Sequence, residues 1–367
     1  MDLDVVFLGT SGSVPTARRG LAGTLVRRGG ERVLVDCGEG TQRQLLKSSV
    51  GLVELPEVFL THYHADHYLG LPGMLKTFAL RGREVPLTVY GPPGLRNLFA
   101  ALERIFGKLT YRLELHELRD GDVLDRGDYR IVVFGVAHGV AANGYALVEL
   151  PRAGRFDVDA AEALGVPAGP LFGRLQAGEP VELEDGTVVR PEQVLGEPRP
   201  GRKVVLAGDS APASGVLEAA RGADLLVHEA TFAAEEQARA DETAHSTAAG
   251  AASLARAAEV GMLALTHLSN RYFGPEIARE AREIFPETVV PRDFDIIEVR
   301  FPERGGPRLV KSGARPRREE REPHGGDGSG EGGRRPRRGG GDPGDPPFGR
   351  DPLGAPSRGR AASGRAR

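Results

Sequence analysis

The sequence predicts a layered α/β domain in which helices cover β-sheet. Two observations favour this class. Through residues 1–302, short apolar runs rich in β-branched residues and bounded by Gly, Pro or Asp alternate with helix-like stretches. Hydrophobic residues make up 40% of the 367 residues, which is enough for a substantial core. Alternation of this kind is typical of sheet packed under helices.

Each predicted element follows from its local pattern. The predicted strands are residues 4–9, 32–38, 57–61, 87–91, 129–138, 203–209, 224–230 and 262–268. The predicted helices are residues 41–48, 69–80, 94–106, 213–221, 246–259 and 275–285.

Composition excludes several classes of protein. No run of 18 or more apolar residues occurs, so we expect no membrane span and no membrane partner. The opening stretch "MDLDVVFLGTSGS" has no basic region followed by an apolar segment, so no secretion signal is expected. Cys37 is the only cysteine, which excludes an intrachain disulfide and is compatible with a cytoplasmic location.

Two segments depart from the α/β pattern. Residues 151–203 are dense in Gly and Pro and lie between two strong strands, so we expect an inserted arm projecting from the body. Residues 303–367 are Arg/Gly/Pro-rich and carry seven more basic than acidic residues, whereas residues 1–302 carry ten more acidic than basic residues. We expect this tail to be disordered. It either adds nonspecific affinity for RNA or acts only as a solubilising extension.

Metal-binding side chains follow the ends of four predicted strands. They are His62, His138, Asp209 and His267. The run "THYHADHYLG" (61–70) adds His64, Asp66 and His67. Loops at the carboxyl ends of strands are where layered α/β proteins place their chemistry. Any one of these histidines could be an ordinary core residue, but the set predicts a metal site.

Histidine and carboxylate ligands without thiolates suit zinc or a similar divalent ion. If Asp209 bridges two ions, each receives four ligands. One set is His62, His64, His138 and Asp209, and the other is Asp66, His67, His267 and Asp209. Two ions about 4 Å apart would lower the pKa of a shared water. They would also bind the attacking oxygen and the leaving oxygen of a displacement at phosphorus.

The spacing His62-x-His64-x-Asp66-His67, with three ligands downstream, resembles the metallo-β-lactamase superfamily. The resemblance covers residues 1–302 and implies an αββα sandwich with a dinuclear metal centre at its edge. Fold alone does not identify the substrate.

Further stretches resemble one branch of that superfamily, ribonuclease Z, the tRNA 3′-processing endonucleases. These are "FLGTSGSVPT" (7–16), "DCGEGTQRQL" (36–45), "GDSAP" (208–212), "HEATF" (228–232), "AHST" (244–247) and "LTHLSNRY" (265–272). The stretch "GVPAGPLFGRLQAGE" (165–179) resembles that family's flexible tRNA-binding arm, or exosite.

The resemblance implies a homodimer, with one subunit's arm serving the tRNA bound by the other. It also implies two Zn²⁺ per subunit, with Mn²⁺ as the alternative. The implied reaction removes the 3′ trailer of precursor tRNA, leaving a 3′-hydroxyl on the tRNA and a 5′-phosphate on the trailer.

Residue roles follow from the resemblance and from the chemistry. Asp66 matches the family's proton acceptor, although a metal-bound carboxylate is a weak base. His245 is not needed as a ligand and could donate the proton to the departing O3′, oriented by Glu229. Its competing interpretation is a residue at a helix N-terminus. Asp36 has the position of a carboxylate that orients a ligand histidine, and His228 is interpreted as structural.

One stretch departs from the family pattern. Where part of the family has Pro-x-Lys-x-Arg-Asn, a loop that senses the CCA end of tRNA, this chain reads "PTARRG" (15–20). Ala17 replaces the lysine and Gly20 the asparagine, which puts discrimination against CCA-bearing tRNA in doubt. Because the body is acidic, we expect basic residues to be concentrated on the RNA-binding face. The candidates are Arg18, Arg19, Arg43, Arg174 and Arg271.

Two other functions stay open from the sequence. Another dinuclear-metal hydrolase of the same fold, acting on a small ester or a cyclic phosphodiester, would keep the seven ligands but would not need the arm. A noncatalytic RNA-binding module would be expected to have lost some of the ligands, and all seven are present.

Overall fold

The computed structural model describes residues 1–52 and 55–312. The strands are β1 (Leu3–Gly9), β2 (Gly23–Arg28), β3 (Glu31–Val35), β4 (Glu57–Phe59), β5 (Leu87–Gly91), β6 (Leu113–Glu117), β7 (Val123–Asp125), β8 (Tyr129–Gly135), β9 (Asn143–Glu149), β10 (Val181–Glu182), β11 (Val188–Val189), β12 (Lys203–Leu206), β13 (Leu225–Glu229), β14 (Met262–Thr266), β15 (Thr288–Val289), β16 (Ile296–Glu298) and β17 (Arg308–Val310). The helices are α1 (Thr41–Lys47), α2 (Ala65–Tyr68), α3 (Gly70–Leu80), α4 (Leu95–Phe106), α5 (Val158–Ala163), α6 (Pro170–Gln176), α7 (Ser214–Ala220), α8 (Gln237–Thr243), α9 (Ala248–Ala257) and α10 (Gly274–Ile284).

Two mixed sheets form the body. The first has the strand order β17-β16-β1-β2-β3-β4-β5-β6, and the second has the order β15-β14-β13-β12-β9-β8-β7. Strands β3 to β6 are parallel to one another, as are β12 to β15. Parallel neighbours bring the carboxyl ends of consecutive strands to one edge, which is where the chemistry predicted from the sequence is concentrated.

The sheets pack face to face with helices on both outer surfaces. In β1, Val5 and Phe7 point into the core shared with the second sheet, whereas Val6 and Leu8 point to the helices of the first. Alternate side chains of a strand face opposite sides, so both faces of this sheet are buried. Leu226 of β13 packs in a third core with the helices of the second sheet. The predicted αββα sandwich is confirmed.

The segment 151–203 has a small core of its own. It contains α5, α6 and the hairpin β10–β11. Its buried apolar residues form a cluster separate from the three cores of the body, made of Ala161, Val166, Leu175, Val181, Val189 and Val194. Two backbone bridges, Arg152↔Arg199 and Phe156↔Leu195, join its outgoing and returning strands.

The predicted start of the disordered tail at Glu303 is wrong. Residues 308–310 form β17, which pairs with β16 at the edge of the first sheet, with Val310 opposite Ile296. The apolar pair Leu309 and Val310 packs against the core, which offsets the cost of ordering this segment. The rest of the predicted tail, residues 313–367, lies outside the described residues. Among the residues that the structure describes, no helix is long and apolar enough to cross a membrane.

Candidate active site

Loops at the carboxyl ends of strands from both sheets meet at one edge of the sandwich. His62 follows β4 of the first sheet, and the other loops follow β8, β12 and β14 of the second. Gly208 allows the loop after β12 to lie close to the loop after β4. Its φ is 66°, and a Cβ there would lie 2.9 Å from Cγ2 of Thr61. Only glycine adopts this backbone conformation without strain and leaves room for the threonine. The next residue, Asp209, therefore lies directly beside the histidine run of the first sheet.

Three histidines from two loops form one cluster. Nδ1 of His64 lies 3.0 Å from Nε2 of His62 and 3.1 Å from Nε2 of His138. Two nitrogens bound to one tetrahedral zinc are roughly 3.3 Å apart, given zinc–nitrogen bonds of about 2.0–2.1 Å. His62 is buried and His64 is exposed, so this side of the site opens to solvent.

The remaining predicted ligands form an adjacent cluster. Nε2 of His267 lies 3.3 Å from Nε2 of His67 and 3.2 Å from Oδ2 of Asp66. Oδ2 of Asp209 lies 3.3 Å from Nε2 of His67, 3.2 Å from Nε2 of His267 and 3.9 Å from Nε2 of His62. Asp209 is thus the carboxylate located between the two clusters. All seven side chains selected from the sequence lie at this edge.

The outer ring nitrogens of four histidines donate hydrogen bonds away from the clusters. Nδ1 of His62 contacts Oγ1 of Thr61 at 3.1 Å, and Nδ1 of His138 contacts the carbonyl oxygen of Ala244 at 3.1 Å. Such bonds fix the tautomer, so that each Nε2 presents a lone pair to the interior of its cluster.

The other two histidines are oriented in the same way. Nδ1 of His67 donates to Oδ2 of Asp36 at 2.8 Å, which confirms the orienting contact predicted for Asp36. Nδ1 of His267 donates to Oγ1 of Thr231 at 2.9 Å. Asp36 and His267 both have positive φ, at 60° and 56°. Strained backbone at non-glycine residues is typical of functional sites, where the surrounding contacts maintain it.

The charges in the site favour cations. Burial and the neighbouring His67 ring lower the pKa of His62 to about 2, so its imidazole is neutral. Burial by itself would raise the pKa of Asp209, but the rings of His267 and His67 hold that pKa well below its ordinary value. An ionised carboxylate beside several imidazole rings is a typical donor set for a divalent metal ion.

Two further groups border the clusters. Nδ1 of His245 lies 2.7 Å from Oε1 of Glu229 and 3.9 Å from Oδ2 of Asp209. Oδ2 of Asp66 accepts a hydrogen bond of 2.7 Å from the backbone amide of Ser13. His245 and Asp66 are thus each held by a partner of their own.

Several residues differ from expectation or were not predicted. The orienting roles of Thr61 and Thr231 were missed, although Thr61 directly precedes His62 in "LTHYH" and Thr231 follows Glu229 by two residues in "HEATF". Arg19 is not available on the surface for RNA, because its guanidinium binds Oγ1 of Thr10 and the carbonyl oxygen of Pro291.

Other side chains lie apart from the clusters. The buried Nδ1 of His228 donates to the carbonyl oxygen of Glu229, and His228 belongs to none of the metal-competent clusters in the described part of the chain. Arg271 is ion-paired with Glu236, and Arg174 with Glu179. Each of these ion pairs involves an arginine that was expected to face RNA.

The fold and the metal-competent site define a superfamily. A model of the metallo-beta-lactamase superfamily matches residues 22–267. A metallo-beta-lactamase fold protein from Bacillus subtilis superposes with a TM-score of 0.60 at 21% identity, covering 81% of this chain and 99% of the other. The chain is a member of the metallo-beta-lactamase superfamily.

More similar relatives narrow the assignment. The chain is 49% identical to ribonuclease Z of Natronomonas pharaonis over 311 residues, which is 83% of this chain and all of the relative. It is 51% identical to ribonuclease Z of Myxococcus xanthus over 271 residues, 74% of this chain and 88% of the relative. Human tRNase Z, short form, superposes with a TM-score of 0.58 at 27% identity, covering 81% of this chain and all of the human one. The chain belongs to the ribonuclease Z family of tRNA 3′-processing endoribonucleases.

Proposed function

We propose that the seven clustered side chains hold two divalent metal ions, zinc with manganese as the alternative, and that this centre removes the 3′ trailer from precursor tRNA. One ion is assigned to the His62, His64 and His138 cluster and the other to the Asp66, His67 and His267 cluster, with Asp209 shared. When bound, such ions supply an activated water and stabilise the charge that develops on the phosphate. The inward lone pairs of the histidines support this assignment.

Proton transfer is assigned to two residues. Asp66, itself a member of the second cluster, is assigned as the acceptor of the proton from the attacking water. Burial by itself would raise its pKa, but the contacts with His267 and His67 keep that pKa below its ordinary value. Asp66 is therefore a weak base, and it releases the proton to solvent water after the transfer. His245, held by Glu229, donates the proton that O3′ needs as it departs with a 3′-hydroxyl on the tRNA.

The arm is assigned to tRNA binding away from the metals. Its buried apolar cluster, which is separate from the cores of the body, supports this assignment. By family resemblance, we propose that the protein acts as a homodimer in which one subunit's arm contacts the tRNA cleaved by the other.

The convergence of the seven side chains on Asp209 is the observation that carries the proposal. Asp209→Ala should lose bound metal and precursor-tRNA cleavage together. His245→Ala should keep its metal while the rate falls by about 10²–10⁴-fold, as for loss of a general acid. His116→Ala is the control, because His116 is exposed in β6 and lies outside the site. Elemental analysis should find about two metal equivalents per wild-type chain, and one or none would count against the proposal.

An arm deletion separates this function from a small-substrate hydrolase. Removing residues 154–200 joins two strands whose backbones stay bonded below the cut, since the amide of Glu149 donates to the carbonyl oxygen of Arg202 at 2.9 Å. Hydrolysis of a small phosphodiester should persist while precursor-tRNA cleavage collapses. Equal survival of both activities would favour the small-ester or cyclic-phosphodiester alternative.

A further inference from the structure

The base of the arm contacts the loop Phe301–Glu303, which follows β16. Arg152 and Arg199 lie opposite each other on the outgoing and returning strands of the arm. The Nη1 atoms of both reach Oε1 of Glu303, at 2.9 Å and 3.4 Å. Cζ of Arg152 also lies 3.4 Å from the centroid of the Phe301 ring. One short loop of the body therefore contacts both strands of the arm base.

The same loop is anchored to the body by a buried arginine. Cζ of Arg202 lies 4.4 Å from the centroid of the Phe301 ring. Arg202 is 3% exposed, and it donates to both carboxylate oxygens of Glu149 and to the carbonyl oxygen of Val299. A guanidinium held in this way keeps the aromatic ring in place by a cation–π contact. Phe301 is thus fixed from the body side while Arg152 of the arm packs against it.

Beyond its base, the arm is internally well packed. A Cβ at Gly154 would lie 1.8 Å from the carbonyl oxygen of Gly196, so the two backbones of the stalk are in direct contact. The amide of Asp157 donates to the carbonyl oxygen of Val194 at 2.8 Å, which continues the pairing towards the arm's own core. Changes in the direction of the arm are therefore concentrated at the base, where Phe301 and Glu303 hold it.

We propose that Phe301 and Glu303 are positioning residues that set the direction of the arm for tRNA binding, an inference that rests on the proposed tRNA-binding role of the arm. A substrate held at two separate places binds tightly only when the distance between those places matches its own shape. Holding the arm in one direction reduces the entropy lost when tRNA binds. The loop contributes to binding and does not take part in the chemistry at the metals.

The kinetic test separates binding from chemistry. Phe301→Ala and Glu303→Gln should each raise KM for precursor tRNA about ten-fold, as expected when preorganisation is lost, with kcat nearly unchanged. Phe301→Tyr and Glu303→Asp should restore most of the binding. Glu298→Gln is the matched control, because Glu298 lies on β16 and pairs with Arg308 rather than with the arm. Hydrolysis of a small phosphodiester should be equal in all variants, which reports that the site is folded.

A distance measurement tests the loop without tRNA. The single native cysteine, Cys37, is buried, so spin labels can be placed at Glu184→Cys on the arm and Glu103→Cys on α4, both exposed. Phe301→Ala should broaden the distribution of label distances relative to Glu298→Gln. Unchanged distances and unchanged KM would overturn this inference alone, provided that the arm deletion abolishes precursor-tRNA cleavage. If the deletion leaves that cleavage intact, the proposed role of the arm fails instead.

Discussion

Nδ1 of His245 lies 2.7 Å from Oε1 of Glu229, a carboxylate that is 1% exposed. The same Oε1 accepts from the amide of Ser210 at 2.8 Å, and Oε2 accepts from Oγ1 of Thr231 at 2.5 Å. Glu229 therefore links His245 to the loop that carries Asp209 and to the threonine that orients His267. Burial by itself would lower the pKa of His245, but the Glu229 hydrogen bond and charge raise that pKa above its ordinary value.

The pH dependence of cleavage should reveal this pair. A proton donor acts while it is protonated, so the rate falls as pH rises through the pKa of His245. Glu229→Gln removes the charge that raises this pKa, and the alkaline limb of the kcat/KM profile should move to lower pH. The profile is measured on precursor tRNA at saturating metal, with His116→Ala as the control. A limb that stays in place would show that another group is the acid.

Asp36→Asn should weaken metal binding without changing the shape of the site. Asp36 accepts from Nδ1 of His67, and asparagine keeps its size but loses the charge that makes the imidazole a better ligand. The affinity for zinc, measured by competition with a chelator, should fall by about 10–100-fold. Asp4→Asn serves as the control, because it removes a carboxylate whose partner is Arg27 in β2, outside the site. Equal affinities in the two variants would contradict the orienting role.

The sequence predicts the fold where local pattern and final environment agree. The strand 87–91 and the helix 70–80 are placed to within a residue, because each is apolar and buried in a single core. Strand β9, "NGYALVE", was missed, since Asn, Gly and Ala have low strand propensity. Pairing with β8 and β12 on either side stabilises it. Such pairing joins segments that are separate in the sequence, so the local sequence of β9 does not reveal it.

The candidate active site was also predicted only in part. Side chains that could bind metal after a strand are visible in the sequence, so all seven candidate ligands were selected. Their outer partners are less visible. Ala244 contributes only a backbone carbonyl oxygen, which it presents to His138 from a residue with φ of 53°. Nothing in an alanine side chain signals that role, whereas Thr61 and Thr231 were missed because threonine is common at strand ends.

A buried ion cluster outside the candidate active site should control stability at low pH. Glu149 lies between Arg28 and Arg202 at 2.9 Å and 2.7 Å. Burial by itself would raise the pKa of Glu149, but hydrogen bonds from Arg202 and Arg28 lower it from 4.5 to about 2. A lowered folded-state pKa means that the contribution to stability is complete above about pH 4.5 and is lost as pH falls towards 2.

Glu149→Gln should therefore reduce stability at neutral pH and flatten its acid dependence. Breaking a buried ion pair by removing one partner costs about 3–5 kcal/mol in the free energy of unfolding. Urea unfolding at pH 7 and pH 3 should show a large difference between variant and wild type at pH 7 and a smaller one at pH 3. Glu218→Gln, which removes an exposed pair with Arg221, should show no measurable change. An equal difference at both pH values would show that the ionisation of Glu149 does not contribute to the pH dependence of stability.

The approach of the two sheets at Gly208 gives a matched pair of substitutions. Gly208 and Gly222 both have positive φ, at 66° and 60°. Alanine in this conformation costs about 1 kcal/mol at either position. At Gly222 nothing lies within 4 Å of the added Cβ, whereas at Gly208 it meets the side chain of Thr61 at 2.9 Å. Because Thr61 orients His62 and Asp209 is the next residue, the crowding should displace ligands of both proposed ions.

Gly208→Ala should accordingly lose metal and precursor-tRNA cleavage, while Gly222→Ala should lose only stability. Zinc content and cleavage rate are measured on both variants at a temperature where each is folded. Because the backbone cost is shared, the difference between the variants isolates the contact between the sheets. Full metal content in Gly208→Ala would mean that Thr61 can move without disturbing His62, and the geometry around Asp209 would then tolerate a wider separation of the two sheets.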